Sequence, residues 1–333
     1  MSSTPRIFTR GWRKSWERRL RFHALLALLG LIARLPRRVG QALLGGIGAL
    51  LVPWLKRARR PVLANLRLVF PEWTERERQR FLRRVGRSLG RNGFDFLRIS
   101  RSSLADIERL VAIEGLEHMR AAHAKGRGVV CVSAHLGCWE LLPLRFRALG
   151  FPVAVVYRPL RDPRMDRYVA ARRARFGVVA LDRDDDARGM LRSLRAGSLL
   201  GILPDQDTRV DSIVVPFLGH PARSPVGPVR LAMRSGAPMV PVVIRMRSDG
   251  THGIRVGPEI LLTRPGKGAP AEEVDAAIAA GTERWAAAIG EMILEAPDQW
   301  VWFHDRWREL EPDADRVQNA PVREPANRGK RSR

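Results

Sequence analysis

The sequence predicts an α/β fold with a largely parallel central sheet flanked by helices. Three observations lead there. Short β-branched runs without charge, such as Gly128–Ala134 (GVVCVSA), alternate with helical segments along the middle of the chain, the rhythm that builds parallel sheets. Gly177, Gly197 and Gly236 close helical segments in that alternation, as glycine commonly does. Two apolar runs near the start, Phe22–Ala33 and Val39–Leu55, stand between clusters of basic residues and promise helices of a different kind.

Residues 1–21 carry seven basic side chains against Glu17 alone. Lys56, Arg57, Arg59 and Arg60 form a second cluster, and the stretch from Arg323 to Arg333 a third. The two apolar runs are 12 and 17 residues long, each short of the roughly 20 that a spanning helix needs. Arg34, Arg37 and Arg38 prevent their merger, and no convincing small-x-small cleavage site marks the first as a signal peptide. The reading is a pair of N-terminal membrane-associated helices lying in the interface. Arg, Trp12, Trp16 and Trp54 would sit at headgroup level. The basic flank places this arm on the cytoplasmic side. Two alternatives stay open: ordinary core helices under a basic surface, and a single true span.

The remaining elements follow in order. Arg76–Leu97 reads as a long helix with a strongly basic face, Gly128–Ala134 as a buried strand and Trp139–Leu149 as a helix. Val153–Tyr157 is the next strand, then a helix near Asp166–Arg175, a short strand Val178–Leu181, a helix Ala187–Arg195 and a strand Leu199–Leu203. Ile213–Phe217 is extended, Pro228–Arg234 helical, and Met239–Met246 a strand with Gly253–Val256 paired beside it. Ala271–Glu295 is a long Ala-rich helix. The organisation predicted is a membrane-associating arm over 1–60, a catalytic domain over 61–310, and a basic tail over 311–333 whose Pro, Asp, Arg and Asn content predicts disorder.

Composition narrows the function classes. The 333 residues are 45% hydrophobic and 28% charged, values of a folded protein. Two cysteines give no disulfide framework, and no CxxC pair suggests zinc or redox work. The formal net charge is +25, from 59 basic against 34 acidic residues, and only five of the basic ones are Lys. Such a surface seeks phosphate. Nucleic acid would satisfy it, but no reader motif is present and the apolar arm has no use there.

The residues able to do chemistry cluster. In Ser133-Ala134-His135-Leu136-Gly137-Cys138-Trp139-Glu140, His135 falls just past a buried strand, the edge where ligands bind in open α/β sheets. Five helical positions would rotate Glu140 about 140° from His135, so the pair meets only if His135 stays in the loop. A carboxylate on one ring nitrogen fixes the tautomer and leaves the other nitrogen to take a proton. His135 and Glu140 are therefore the candidate base and orienter, and a helix starting after His135 would offer backbone N–H groups. No serine nucleophile accompanies them; the nucleophile would be the substrate's own hydroxyl. A lone His-x4-Glu also arises by chance. The other histidines lack ligand spacing, so no metal site is expected. Cys138 has no histidine beside it to make it a nucleophile, and Cys131 reads as a core residue. Arg158 and Asp205 end two further strands, so both are predicted at the same sheet edge. Asp182–Asp186 precedes a helix and reads as its cap rather than a metal cluster.

These residues carry a family resemblance. The chain from about Arg57 to Arg308 resembles the lipid A biosynthesis acyltransferases of the lysophospholipid acyltransferase superfamily. Beyond His135–Glu140, the resemblance rests on Asn65–Glu72, Tyr157–Leu160, Arg175-Phe176-Gly177, Leu203-Pro204-Asp205-Gln206-Asp207, Val215–Gly219, Gly236–Val242 and the aromatic Gln299–Trp307. The chain departs from the pattern at Asp305, where a basic residue is expected, and at Ser224, where threonine is usual. The resemblance implies a glycerolphosphate-acyltransferase-like fold. It also implies transfer of a fatty acyl chain from acyl-acyl carrier protein, or acyl-CoA, to a hydroxyl of a membrane glycolipid, with no metal or redox cofactor. His135 and Glu140 would be catalytic; Arg158, Asp205 and Gln206 would bind substrate, Arg158 by gripping a phosphate. The partners implied are an anionic membrane surface, acyl carrier protein and the glycolipid acceptor, at the cytoplasmic face of the inner membrane. An acceptor such as a phosphatidylinositol mannoside, or another phospholipid, fits the same chemistry. Trp300, Trp302 and Trp307 could line an acyl path or pack the core.

Overall fold

The computed structural model describes residues 23–24, 26–160, 162–206 and 210–307. The first basic cluster, Trp12, Trp16, Asp207, Arg308 and the tail from 311 onward lie outside the described residues. Within them the strands are β1 (Val111–Glu114), β2 (Val129–Val132), β3 (Val153–Tyr157), β4 (Val178–Asp182), β5 (Leu199–Ile202), β6 (Ser212–Phe217), β7 (His220–Pro225), β8 (Met239–Met246) and β9 (His252–Val256). Seven of them form the central sheet in the order β1-β9-β8-β2-β5-β3-β4, and β6 and β7 form a separate hairpin. The run β8-β2-β5-β3-β4 is parallel throughout; β9 reverses against β8, and β1 follows β9. The sheet is thus mostly parallel, as the alternation of elements predicts.

Helices cover both faces: α1 (Arg37–Leu51), α2 (Lys56–Val69), α3 (Glu75–Arg98), α4 (Leu104–Leu110), α5 (Leu116–His123), α6 (Leu141–Ala148), α7 (Pro163–Arg175), α8 (Ala187–Arg195), α9 (Gly227–Ser235) and α10 (Ala271–Leu294). All four residues of β2 are buried, because alternate side chains enter opposite apolar layers. Val130 and Val132 join the layer of Leu66, Phe81, Trp285, Ile289 and Trp302. Val129 and Cys131 join the layer of Ile107, Met119, Leu141 and Phe146. Each fully buried large apolar side chain contributes roughly 1.5–3 kcal/mol. α3 starts at a capping box: Thr74 accepts from the Glu77 N–H while Glu77 accepts from the Thr74 N–H, which satisfies two otherwise unpaired donors.

The N-terminal helices are organised in an unusual way. α1 packs against α3 through its small residues. A Cβ added at Gly48 would meet the Gly86 carbonyl at 2.0 Å, and one at Gly90 the Leu44 carbonyl at 2.0 Å. The Gly86-x-x-x-Gly90 spacing thus brings two backbones into contact, the arrangement that small-residue stripes allow. Gly40, Gln41 and Gly45 are buried on this face, whereas Val39, Leu43, Ile47, Leu50, Leu51 and Trp54 are exposed on the other. Arg37, read in the sequence as a break in the apolar run, reaches inward instead. It forms a two-pronged ion pair with buried Asp95, which also accepts from Gln41 and pairs with buried His252. No single helix among the described residues is long and apolar enough to cross a membrane; Arg37–Trp54 and Lys56–Val69 meet the requirement only as a pair bent by 82°. The residue 60/61 boundary expected from the sequence falls inside α2.

Candidate active site

The site is built where two neighbouring strands end. β2 and β5 run parallel with Val132 level with Ile202, and the Ser133 N–H carries the ladder one step further by donating to the Ile202 carbonyl at 2.9 Å. The chain then leaves both strands in the same direction, which brings His135 and Asp205 side by side. Asp205 Oδ1 lies 2.8 Å from His135 Nδ1. Its Oδ2 accepts the His135 backbone N–H at 2.8 Å and the Trp300 indole N–H at 2.8 Å. Asp205 is fully buried, while the His135 side chain keeps 24% of its surface exposed. Burial pushes the Asp205 carboxyl upward, but the His135 ring, the Trp300 indole and the His135 N–H outweigh it and hold the group below its usual range. Asp205 is therefore ionised near neutral pH. It places the proton of a neutral imidazole on Nδ1, leaving Nε2 as acceptor.

The sequence assigned the steering carboxylate to Glu140, and the geometry corrects that assignment. Residues 135–140 form a loop and α6 begins only at Leu141. Both Glu140 oxygens are taken by Arg173, at 3.0 Å from Nε and 2.6 Å from Nη2. Both side chains are mostly buried, and the Arg173 guanidinium stands 5.3 Å from the Tyr157 ring centroid. Glu140 therefore fastens the His135 loop to α7. The expectation of free N–H groups directly after His135 also changes. Leu136 donates to Ala134, and Gly137 donates to Gln299 at 3.1 Å. Gly137 has φ +59°, and a Cβ there would lie 2.5 Å from the Ile244 carbonyl, so this turn needs glycine.

The aromatic segment near residue 300 completes the site from outside the sheet. Trp300 bridges to Leu136, and the Val301 N–H donates to the His135 carbonyl at 3.1 Å. Gln299 is itself pinned, accepting from the Met246 N–H and donating to the Met246 carbonyl. The sequence left Trp300 between packing and acyl contact; the structure gives it a hydrogen bond to Asp205.

A cavity of about 1790 Å³ opens at this edge. His135, Glu140, Arg158 and Gln206 all line it, whereas Asp205 lies behind His135, out of contact with the space. Arg158 is exposed at the rim. Val155, Leu142, Phe146 and Gly201 give the interior an apolar wall, and α7 contributes Asp166, Val169 and Arg173. Ser133 also lines the space, is 2% exposed, and its hydroxyl has no hydrogen-bond partner. Burial raises both thiols, Cys131 to about 12 and Cys138 well above its ordinary value, which disqualifies either as a nucleophile. Among the described residues no group of three or more His, Cys, Asp and Glu could hold a metal ion. Asp186 caps α8 by accepting the Gly189 N–H at 2.9 Å.

The chain can be set beside known proteins on this basis. The family model described as bacterial lipid A biosynthesis acyltransferase matches residues 11–309. The lipid A biosynthesis lauroyltransferase of Escherichia coli (strain K12) is 31% identical over 290 residues, covering 85% of this chain and 90% of that protein. The lipid A biosynthesis palmitoleoyltransferase of the same organism is 28% identical, over 85% and 89%. A phosphatidylinositol mannoside acyltransferase of Mycobacterium tuberculosis (strain CDC 1551 / Oshkosh) is 26% identical over 59% of each chain.

Proposed function

This chain belongs to the bacterial lipid A biosynthesis acyltransferase family, and from that premise we propose the reaction it carries out. It moves a fatty acyl chain from acyl-acyl carrier protein, or acyl-CoA, to a hydroxyl of a lipid A precursor. The observation that carries this reading is the His135–Asp205–Trp300 chain of hydrogen bonds at the mouth of a large, partly apolar cavity. His135 Nε2 takes the proton of the acceptor hydroxyl, and Asp205 stabilises the imidazolium that forms. The hydroxyl oxygen attacks the thioester carbonyl, the carbon–sulfur bond breaks, and His135 returns the proton to the departing thiolate. Positioned proton transfer of this kind contributes about 10²–10⁴-fold. Arg158, exposed at the rim, binds a phosphate of acceptor or donor through charge-assisted hydrogen bonds. Gln206 contacts substrate from the same rim, and Glu140 acts through Arg173 by holding α7 against the cavity.

The inner membrane's cytoplasmic face is the place that suits this chemistry. The outward apolar face of α1, with exposed Trp54 at its end and exposed Lys56, Arg57, Arg59 and Arg60 immediately after, fits an anionic bilayer surface. Each basic side chain there contributes about 1 kcal/mol. The mannoside-acylating relative supports a second reading with another phosphoglycolipid acceptor. Mass spectrometry of lipids from cells with and without the gene decides between them. Loss of one acyl chain from lipid A is the expected result. An unchanged lipid A with an altered phospholipid or mannoside favours the second acceptor and overturns the first.

A further inference from the structure

Acyl transfer passes through a tetrahedral species whose carbonyl oxygen gains negative charge, so the site needs a hydrogen-bond donor aimed at that oxygen. The amides of His135, Leu136 and Gly137 do not supply it. The His135 N–H is given to Asp205, the Leu136 N–H to Ala134 and the Gly137 N–H to Gln299. α6 starts six residues beyond His135, at Leu141, and the Leu141 and Leu142 N–H groups are bonded to Cys138 and Trp139.

One polar side chain near His135 has the opposite character. Ser133 stands two residues before it at the end of β2, is 2% exposed, and lines the same cavity. Its hydroxyl is buried without any partner. A buried, unsatisfied hydroxyl costs roughly 1–3 kcal/mol, and native structures hold few of them. The strand fixes its place, since the Ser133 N–H is locked to the Ile202 carbonyl at 2.9 Å. Cys131, next on the same strand face, and Gly201, level with it on β5, line the same space. Ser133 is thus the polar residue that continues the Cys131 face of the strand up to His135.

We propose that Ser133 is a further catalytic residue whose hydroxyl donates a hydrogen bond to the thioester carbonyl oxygen during transfer. The inference rests on the acyl-transfer reading above and deepens it. No proton is exchanged with the carbonyl: the hydroxyl proton stays on Ser133 while negative charge builds on the oxygen and is then lost as the carbon–sulfur bond breaks. The acceptor's proton follows the separate route through His135 Nε2 to the thiolate. A hydroxyl with no acceptor within the protein is what a preorganised donor requires, because its partner arrives with the donor substrate.

The test uses the purified full chain in mixed micelles, with lauroyl-CoA and lauroyl-acyl carrier protein as donors and a lipid A precursor as acceptor, following ester formation and thiol release. Ser133→Ala should lower kcat by about 10²–10³-fold with KM for the donor within about threefold. Its melting temperature should stay at or above that of the native chain, since an unsatisfied polar group has been removed. Ser133→Thr, which keeps a hydroxyl, should recover activity to within about tenfold. A Ser133→Ala enzyme turning over within about threefold of the native one overturns the assignment. So does a lowered melting temperature with kcat and KM otherwise preserved, which makes the hydroxyl structural. A native chain that releases no thiol from either donor instead overturns the acyl-transfer reading, and the role of Ser133 with it.

Discussion

The carboxyl edge of the sheet and the α1–α3 helix pair both invert the usual order of burial, in opposite senses. At the sheet edge a fully buried carboxylate, Asp205, is surrounded by donors: a histidine ring, an indole and a backbone N–H. In the helix pair the buried positions of α1 are glycines and a glutamine, and Leu43, Ile47, Leu50 and Leu51 face outward, with exposed Trp54 just beyond the helix end. A polar group inside costs free energy unless it is paired, so the first inversion is stable only as a complete network. An exposed apolar face is stable in water only by tolerance, and a contiguous one marks a surface meant to be covered. The difference teaches that one region is closed by its own hydrogen bonds, whereas the other leaves its apolar side chains facing outward.

The largest effect should come from breaking the network. Asp205→Asn should reduce turnover by about 10²–10⁴-fold and change the pH–rate profile, because an amide no longer holds the Nδ1 proton in place or stabilises the imidazolium. The native carboxyl, held below its usual range, stays ionised as pH falls from neutral into the ordinary carboxylate range. Glu140→Gln sharpens the contrast between the two carboxylates. It should lower activity without displacing the pH–rate profile as Asp205→Asn does, and faster hydrogen exchange over 163–175 should report the loosened α7. A Glu140→Gln profile displaced like that of Asp205→Asn would return the steering role to Glu140.

An intermediate effect is expected inside the helix pair. A side chain at Gly86 or Gly90 would meet backbone carbonyls at 2.3 Å and 2.0 Å. Gly90→Val should therefore cost about 1–3 kcal/mol, read from denaturant unfolding of detergent-solubilised protein. An unchanged midpoint would mean that α1 is not seated on α3 as described.

The smallest stability effect should come from the outward face. Leu43→Asp with Ile47→Asp should change unfolding by less than about 0.5 kcal/mol while cutting partition onto anionic vesicles about tenfold. Vesicle binding that survives the double substitution, but is lost in high salt, would leave only the basic residues in charge of the membrane contact.

Much of the fold was legible because periodicity reports it. The bounds of β3, α8 and β8 coincide with the segments the sequence marks, and the charge-free run Gly128–Ala134 contains β2, which is shorter by one residue at its start and two at its end. Strand order was not legible. Glu140 stands five residues from His135 and looks like its partner; Asp205 is 70 residues away and becomes the partner because β5 lies beside β2 in register. Segments between 99 and 127 gave no reading, since α4 is only seven residues long and β1 only four. The direction of α1 was equally hidden: its apolar run has the composition of a core helix, and only the fit of Gly48 against Gly86 shows which face turns inward. Arg37 misled for the same reason, as nothing local announces that its partner is Asp95.

The strap formed by Gln299, Trp300 and Val301 across the His135 loop bears on the timing of biosynthesis. Strands β2 and β5 leave the ribosome long before that strap exists. A nascent chain halted within α10 holds the imidazole and its carboxylate without the indole or the backbone clasp that keeps them in place. On the proposed mechanism, a truncated product ending before residue 299 should be inert toward thioesters rather than a crippled enzyme wasting them.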